Sequence, residues 1–406
     1  MQRFLVKDAA KHAGEKVTIL GWINTRRVHG KILFIDLRDR SGVLQVVFVP
    51  SNKEAYELAQ NARPEWVVEI SGQIVKRPQN MINEKIETGQ VEMAAESLKV
   101  LSEAETLPLS VEGDGYDIGE ETRMKYRYLD LRRERLKNNL IVRHKVIKFI
   151  RDFLDKEDFA EIETPILTKS TPEGARDYIV PSRQDPGKFY ALPQSPQQYK
   201  QLLMVAGLER YFQVAKCLRD EDPRGDRQPE FTQLDMEMSF VKEEDVMDLI
   251  ERLLILLVKN IFPEKKIQET PFPRISYKDA MAKYNTDRPD IRKDKEDKNL
   301  LAFCWVVDFP FFEKTEEGGW TFTHNPFSAP QEKFNEDLVA KKNIQNILTA
   351  QYDIVLNGFE IGGGSIRNHR PEALEKVFEI MGYKKEIIQE KFGHMMEAFK
   401  YGAPPH

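Results

Sequence analysis

The chain has 406 residues, 41% hydrophobic and 31% charged, a globular composition that allows two or three domains at about 100–200 residues each. Its 61 Lys and Arg nearly balance 66 Asp and Glu, so no global field recruits a polyanion and any nucleic-acid contact must come from local patches. Cys217 and Cys304 stand far apart with no second Cys or close His at ligand spacing, which argues against a zinc site or a disulfide framework and for buried reduced thiols. The first ten residues lack an apolar signal core, and the longest apolar run, 253–258, is too short to cross a bilayer; no membrane partner and a cytoplasmic placement are expected.

Residues 17–101 alternate like short strands (VTILGWINT, ILFIDL, VLQVVFV, WVVEISGQIV, VEMAAESLKVL), with a helical stretch, NKEAYELAQNA, after the third. That order predicts an OB-type barrel, a fold that binds oligonucleotides on the face of its second and third strands. Strand periodicity puts Leu33, Ile35 and Leu37 on one face with Phe34 and Asp36 on the other, and Leu44, Val46 and Phe48 opposite Gln45. An exposed ring and amide beside Arg26, Arg27 and Lys31 make a base-stacking platform with phosphate partners. The plain alternative is a half-exposed Phe beside a solvated basic turn.

Residues 105–118 carry Pro and Gly without periodicity and predict a linker. A second domain follows. It opens on a helix whose Ile141, Val142, Ile147, Ile150 and Leu154 form a core-facing stripe. Strand-like runs then alternate with helices at SPQQYKQLLMVAGLE, at EEDVMDLIERLLILLVKNI and in two segments after Pro371. The pattern predicts an α+β domain with a largely antiparallel sheet flanked by helices.

The segment RDEDPRGDRQPEF at 219–231 concentrates charge, Gly and Pro between two apolar runs. A solvated hairpin loop would be the default. The flanks, however, set Arg219 and Glu221 at the end of one strand and Glu230 and Phe231 at the start of the next. Such a turn offers a guanidinium for phosphate, carboxylates for an amine or metal, and a ring for base stacking.

Together FAEIETPIL, RDEDPRGDRQPEF and TPEGARDYIVPS resemble motif 1, motif 2 and the flipping loop of bacterial aspartyl-tRNA synthetases, and the similarity runs from GWINTRRVHGKILFIDLRDR to YGAPPH. The resemblance implies an anticodon-binding OB barrel at 1–104, a hinge at 105–132 and a class II catalytic domain at 133–406. It implies activation of L-aspartate with ATP and Mg²⁺ and transfer to tRNA(Asp), with tRNA, not DNA, as the nucleic-acid partner. Residue by residue, Arg219 resembles the arginine at the ATP α-phosphate, Glu221, Gln228 and Glu360 match nucleotide contacts, and Phe231 matches the ring under adenine. Glu173, Gln197, Lys200, Gln233, Asp235, His324 and Arg367 match the aspartate pocket, and Asp353 and Glu360 match magnesium-holding carboxylates. In the barrel, Arg27, Phe34, Gln45 and Glu92 match anticodon contacts, and His29 occupies the turn where members that also charge tRNA(Asn) carry histidine. The motif 1 segment around Pro165 implies a homodimer.

Lys200 and Arg367 would bring two positive charges to one pocket, selecting a side-chain carboxylate and repelling lysine. The triple glycine at 362–364 is either a tight turn or a place of close backbone approach to substrate. Two departures from the family pattern stand out. The stretch 291–301 is short where bacterial members carry an insertion domain, and motif 3 is expected after YGAPPH, where this sequence stops. An incomplete synthetase or a catalytically silent tRNA-binding fragment is therefore the competing expectation.

Overall fold

In a computed structural model, residues 3–170, 173–222 and 227–406 are described. The chain divides into two compact units, Met1–Lys137 and Asn138–His406. In the first, β1 (Lys16–His29), β2 (Ile32–Asp39), β3 (Gly42–Phe48), β4 (Val67–Lys76) and β5 (Val91–Ser102) close a barrel in the order β1-β2-β3-β5-β4, with α1 (Lys53–Asn61) between β3 and β4. All its pairs are antiparallel except β3 with β5. The period-2 expectation holds: Leu33, Ile35, Leu37, Leu44 and Val46 are fully buried in the barrel core, and Phe34 and Gln45 face outward, half-buried.

Two short helices, α2 (Glu120–Lys125) and α3 (Arg127–Asp130), follow the barrel, and α4 (Glu134–Lys156) crosses the division between the units. Asp130 is fully buried and accepts from Arg123, Arg127 and Arg133 at 3.2, 2.7 and 2.8 Å. Burial would push this carboxyl up, but the three guanidiniums overcome it and hold it below the usual range. Arg133, also buried, donates to the carbonyls of Ser110 and Glu112, so the 105–118 stretch is tied down by side-chain bonds where it has no ladder of its own. Glu65, with φ of 68° and 4% exposure, accepts from Arg38 on β2 and from Arg132.

The second unit continues with β6 (Ala160–Glu161), β7 (Ile179–Pro181), β8 (Phe189–Ala191), α5 (Gln197–Val205), β9 (Arg210–Leu218), β10 (Glu230–Met238) and α6 (Glu243–Ile261). Then come β11 (Lys266–Ile267), β12 (Arg274–Ser276), α7 (Tyr277–Tyr284), β13 (Leu300–Leu301), β14 (Phe303–Val307), β15 (Phe312–Lys314) and β16 (Trp320–Phe322). The unit ends with α8 (Asn335–Ala340), β17 (Gln351–Leu356), β18 (Phe359–Ser365), α9 (Pro371–Ile380) and α10 (Lys385–Phe399). Among the described residues the strands of this unit form two larger sheets, β10-β9-β6 and β12-β14-β17-β18, and three two-stranded ones, β7-β8, β11-β13 and β15-β16. The inner pairs are antiparallel, whereas β6 runs parallel to β9 and β12 parallel to β14. Long connections with helices separate these parallel partners, as parallel pairing requires.

The stripe expected on α4 needs correction. Ile141 is 47% exposed, and Val142 and Ile147 are half-buried. Phe149, Ile150, Phe153 and Leu154 instead pack with Phe159, Phe212, Met238, Leu249 and Leu253. Rings four residues apart fill the space under the sheet better than the smaller aliphatics nearer the helix start. No helix among the described residues is long and apolar enough to cross a membrane.

Replacing Asp130 by Asn leaves three guanidiniums around a neutral amide. A loss of about 3 kcal/mol is expected, measured as a urea transition of the D130N variant at lower denaturant than that of the wild type.

Candidate functional site

The site grows from the β9–β10 hairpin, whose register pairs Phe231 with Cys217, Gln233 with Ala215, Asp235 with Gln213 and Glu237 with Tyr211. Period-2 geometry therefore lines Gln233, Asp235 and Glu237 along one face. Arg219 just past β9 stays in line: its N–H donates to the Pro229 carbonyl at 2.8 Å, its Nε donates to the Gln194 carbonyl, and its guanidinium lies 5.1 Å over the Phe231 ring. The structure thus brings Arg219 and Phe231 together as the sequence implied. Glu221 and Gln228 are exposed beside them. Residues 223–226 of motif 2 and 171–172 of the TPEGARDYIVPS tract lie outside the described residues.

Helix α5 presents Lys200 to the same face of β10. Its Nζ donates to Asp235 Oδ1 at 2.6 Å and lies 3.3 Å from Glu237 Oε2, close in charge but without hydrogen-bond alignment. From the segment after β18, Arg367 places Nε 3.6 Å from Glu237 Oε1 and donates from Nη1 to Ser365 Oγ. All four charged side chains are buried, at 8% exposure or less. Burial pushes the Asp235 carboxyl up, with Glu237 adding to it, against the pull of Lys200. Burial alone would also raise Glu237, but Arg367, Lys200 and His406 hold it below the usual range.

This arrangement amends the expectation of two spare cations. Lys200 and Arg367 already face two carboxylates, and the second, Glu237, was missed by sequence reasoning. The signal existed, since Glu237 stands two residues beyond Asp235 on one strand face. Asp235 Oδ2, Glu237 Oε2 and Arg367 Nε remain buried without a hydrogen-bond partner among the described residues, unusual enough to mark groups awaiting a polar ligand.

Around this quartet, Gln197 donates to Gln201 at 3.0 Å and Gln201 meets His406 Nε2 at 3.2 Å. The His406 carbonyl accepts from the Arg367 backbone, a second contribution that motif reasoning did not anticipate. Glu173 accepts from Ser195 Oγ at 2.6 Å. Gln233 Oε1 lies 3.6 Å from the Cys217 thiol, which burial, then Asp235, pushes up to about 12. Cys217 is thus a neutral wall and not a nucleophile. His324 packs edge-on to Phe309 at 4.7 Å, and burial lowers its pKa despite Glu360, leaving a neutral imidazole.

Asp353 and Glu360 sit on paired strands, opposite Gly363 and Val355. A Cβ on Gly363 would lie 2.4 Å from Asp353 Oδ1, and one on Gly364 would lie 2.9 Å from the Tyr352 ring. The glycines make room for neighbouring side chains, a different need from the tight turn or the substrate approach expected. Burial, then Glu360, pushes Asp353 up to about 8. Glu360 is held at 2.9 Å by Arg227. Among the described residues no cluster of three or more His, Cys, Asp or Glu is gathered for a metal. Two carboxylates that repel each other still fit Mg²⁺, which takes one or two carboxylates and completes its shell with water and phosphate.

On the barrel, Arg27 Nη2 donates to Asp36 at 2.8 Å and reaches Gln45 Oε1, and Gln45 Nε2 donates to Glu92 at 2.9 Å. Buried Arg77 approaches Glu92 at 3.3 Å. Arg27, Gln45 and Glu92 therefore form one chain across the outer face, with Phe34 directly opposite Arg27 in the ladder. Arg26 is exposed and donates from Nη1 to the Gln60 carbonyl, which leaves its other N–H groups for a phosphate. His29 is exposed at the end of β1.

A closed nucleic-acid-binding barrel, followed by a unit in which a hairpin arginine, a ring and a buried charge cluster converge, is the construction of an amino-acid-activating enzyme that handles RNA. The chain belongs to the class II tRNA synthetases of the D, K and N group, whose family pattern matches residues 119–406, and residues 17–101 match the OB-fold nucleic acid binding domain. Similar curated proteins include the aspartate--tRNA(Asp/Asn) ligase of Dehalococcoides mccartyi, 39% identical over 531 aligned residues covering 98% of this chain and 88% of the relative. That of Aquifex aeolicus is 41% identical over 527, covering 97% and 87%. Asparaginyl-tRNA synthetase from Pyrococcus horikoshii, complexed with asparaginyl-adenylate, shares the fold with a TM-score of 0.80 at 21% identity, covering 100% of this chain and 92% of its own. The aspartyl-tRNA synthetase of Entamoeba histolytica does so at 0.75 and 22%, covering 100% and 85%. The aligned span exceeds the 406 residues of this chain, so the bacterial relatives carry residues with no counterpart here.

Asp353 yields a pH prediction. Its folded pKa of about 8 lies above the ordinary carboxylate value, so the folded chain keeps a proton that the unfolded chain sheds. Stability is complete below about pH 4 and is lost as pH rises toward 8, at up to about 1.4 kcal/mol per unit. The ligand-free melting temperature should fall over that window, and Asp353→Asn should flatten the fall.

Proposed function

We propose that this protein activates L-aspartate with ATP and transfers the aspartyl group to the 3′ end of tRNA(Asp). The observation that carries the reading is the buried quartet of Lys200, Asp235, Glu237 and Arg367. Lys200 and Arg367 supply two fixed cations there, and Asp235 Oδ2 and Arg367 Nε are left without a hydrogen-bond partner among the described residues. A substrate side-chain carboxylate can be shared between the two cations, an amide only partly so, and a side-chain ammonium is repelled by them.

In this reading Lys200 and Arg367 hold the substrate β-carboxylate, and Asp235 Oδ2 and Glu173 accept from the α-ammonium. Gln197, Gln233 and His324 complete the pocket. The substrate α-carboxylate attacks the ATP α-phosphorus, the bond to the β-phosphate oxygen breaks, and pyrophosphate leaves. Arg219 meets the charge that builds on the α-phosphate, and Phe231 carries the adenine, with Glu221, Gln228 and Glu360 as further nucleotide contacts. Asp353 and Glu360 would hold Mg²⁺, which supplies charge neutralisation at the phosphates when bound. A ribose hydroxyl of the tRNA terminus then attacks the aspartyl carbonyl and AMP leaves.

The barrel, 1–104, takes the anticodon through Arg27, Phe34, Gln45 and Glu92, the segment 105–132 serves as hinge, and 133–406 is the catalytic domain. The exposed His29 and the tRNA(Asp/Asn) relatives support acceptance of tRNA(Asn) as well. Exposed Leu140, Ile141, Ile166 and Leu167, at 47–55%, support a homodimer built on α4 and the segment after Pro165. The reaction belongs to the cytoplasm, with tRNA and not DNA as its nucleic acid.

Purified chain should exchange labelled pyrophosphate into ATP with aspartate and not with asparagine or lysine. Arg219→Ala should lower the rate by about 10²–10³. Preference for asparagine would sink the aspartate reading, and tRNA binding with no exchange would leave only a binding role. Phe34→Ala should weaken tRNA binding by about 1–3 kcal/mol without changing aspartate-dependent exchange, as followed by anisotropy of a labelled tRNA.

A further inference from the structure

An open cleft of about 540 Å³ lies between the end of α7, the turn at 290–295 and the β17–β18 turn, and it shares no residue with the charged quartet. Its size is that of a small-ligand site. The chain itself fixes the walls. Asn357 accepts from the Ala302 N–H at 2.8 Å and donates to the Leu300 carbonyl at 3.0 Å, tying the β17–β18 turn to the junction of β13 and β14. Gly358 beside it has φ of +88°, and a Cβ there would lie 3.2 Å from the Asp290 Cβ, so the two turns approach closely only because this residue is glycine. Gln268 fastens the other turn from behind, donating to the Ile291 carbonyl at 3.1 Å and accepting from the Lys293 N–H at 2.8 Å.

The lining is cationic. Its one acid, Asp290, is covered at both oxygens by Arg292, Nε donating to Oδ1 at 3.0 Å and Nη2 to Oδ2 at 2.7 Å. That pairing holds Asp290 below the usual carboxylate range, and Asp294 and Glu296 act on Arg292 more weakly and do not line the cleft. Arg288 and Lys295 are left over. Both are exposed in the lining, and neither side chain makes a hydrogen bond or ion pair among the described residues. Phe359 adds a ring that is 56% exposed. A flat apolar face beside two available cations suits a ligand that carries a stacking base and phosphate together.

One strand serves both this cleft and the carboxylates assigned to Mg²⁺, yet the two places are separate. Phe359 and Glu360 are consecutive on β18 and point to opposite faces, the ring to the cleft and the carboxylate to Arg227. We propose that the cleft is a second nucleotide site, which takes a nucleoside diphosphate or triphosphate with its base on Phe359 and its phosphates between Arg288 and Lys295. It is independent of the aminoacylation reading, with which it shares no residue.

The test uses the full chain carrying Arg219→Ala, which weakens nucleotide binding at the first site, and follows ADP and inorganic pyrophosphate by calorimetry. ADP should still bind. Added to that background, Arg288→Ala and Lys295→Ala should each weaken both ligands by about 10-fold. Phe359→Ala should weaken ADP by about 10-fold and leave pyrophosphate unchanged, with Phe359→Leu as the second variant if alanine disturbs β18. No residual ADP binding, or residual binding indifferent to Arg288→Ala and Lys295→Ala, overturns the proposal. Equal losses of ADP and pyrophosphate in the Phe359 variants, or no loss of either, would make the cleft a site for anions alone and overturn the nucleotide assignment. With Arg219 intact, Arg288→Ala should keep aspartate-dependent exchange; its loss would place Arg288 at the first site and overturn the second.

Discussion

Four charges share one buried volume between α5, β10 and the segment after β18, and the arrangement of the second unit follows from keeping them there. Removing an ion from water costs several kcal/mol even after relaxation, so Lys200 and Arg367 are tolerable only beside Asp235 and Glu237. That requirement couples pieces far apart in sequence. The hairpin register must put Asp235 and Glu237 on one face, α5 must lie across that face, and β18 must end where Arg367 can reach it. The cluster is incompletely satisfied, with Asp235 Oδ2 and Arg367 Nε open. A cluster built for stability alone would close those bonds, whereas one built for a ligand leaves them for the ligand to complete.

The same logic recurs at two smaller scales. Asp353 is pushed up by burial and then by Glu360, with Gln351 donating to its Oδ1 in partial relief, and Gly363 opposite gives it room. On the barrel, Arg27, Gln45 and Glu92 hold one another in a chain of hydrogen bonds, which restricts their rotamers in the unbound chain. Prepaid ordering of this kind leaves less entropy to lose on binding. The Asp130 cluster differs, because its three guanidiniums satisfy the carboxylate and Arg133 spends its remaining hydrogens on linker carbonyls. It is a structural knot with nothing left to offer.

Much of this was legible in the residues. Strand alternation placed Leu33, Ile35 and Leu37 inside and Phe34 and Gln45 outside because the side-chain period of a strand is two whatever surrounds it. The hairpin at 219–231 followed from charge, Gly and Pro set between two apolar runs. The stripe on α4 was misjudged at Ile141, since periodicity tells which residues share a face but not how far along the helix the core extends. Arg26 also donates from one nitrogen to the Gln60 carbonyl, a partner 34 positions away that no local pattern reveals.

The sequence by itself determined the barrel, the main helices and the charged hairpin at 219–231, and it set out which residue types are expected at ATP, aspartate and tRNA, because these depend on local periodicity and on motifs with fixed spacing. Tertiary structure alone decided how the charges combine. Glu237 became a member of the quartet, Lys200 and Arg367 ceased to be spare cations, and Gln198 was left facing a cavity with its amide unpaired. Burial and pairing arise between segments distant along the chain, and only the packed fold brings those segments within the few ångströms over which charges and hydrogen bonds act.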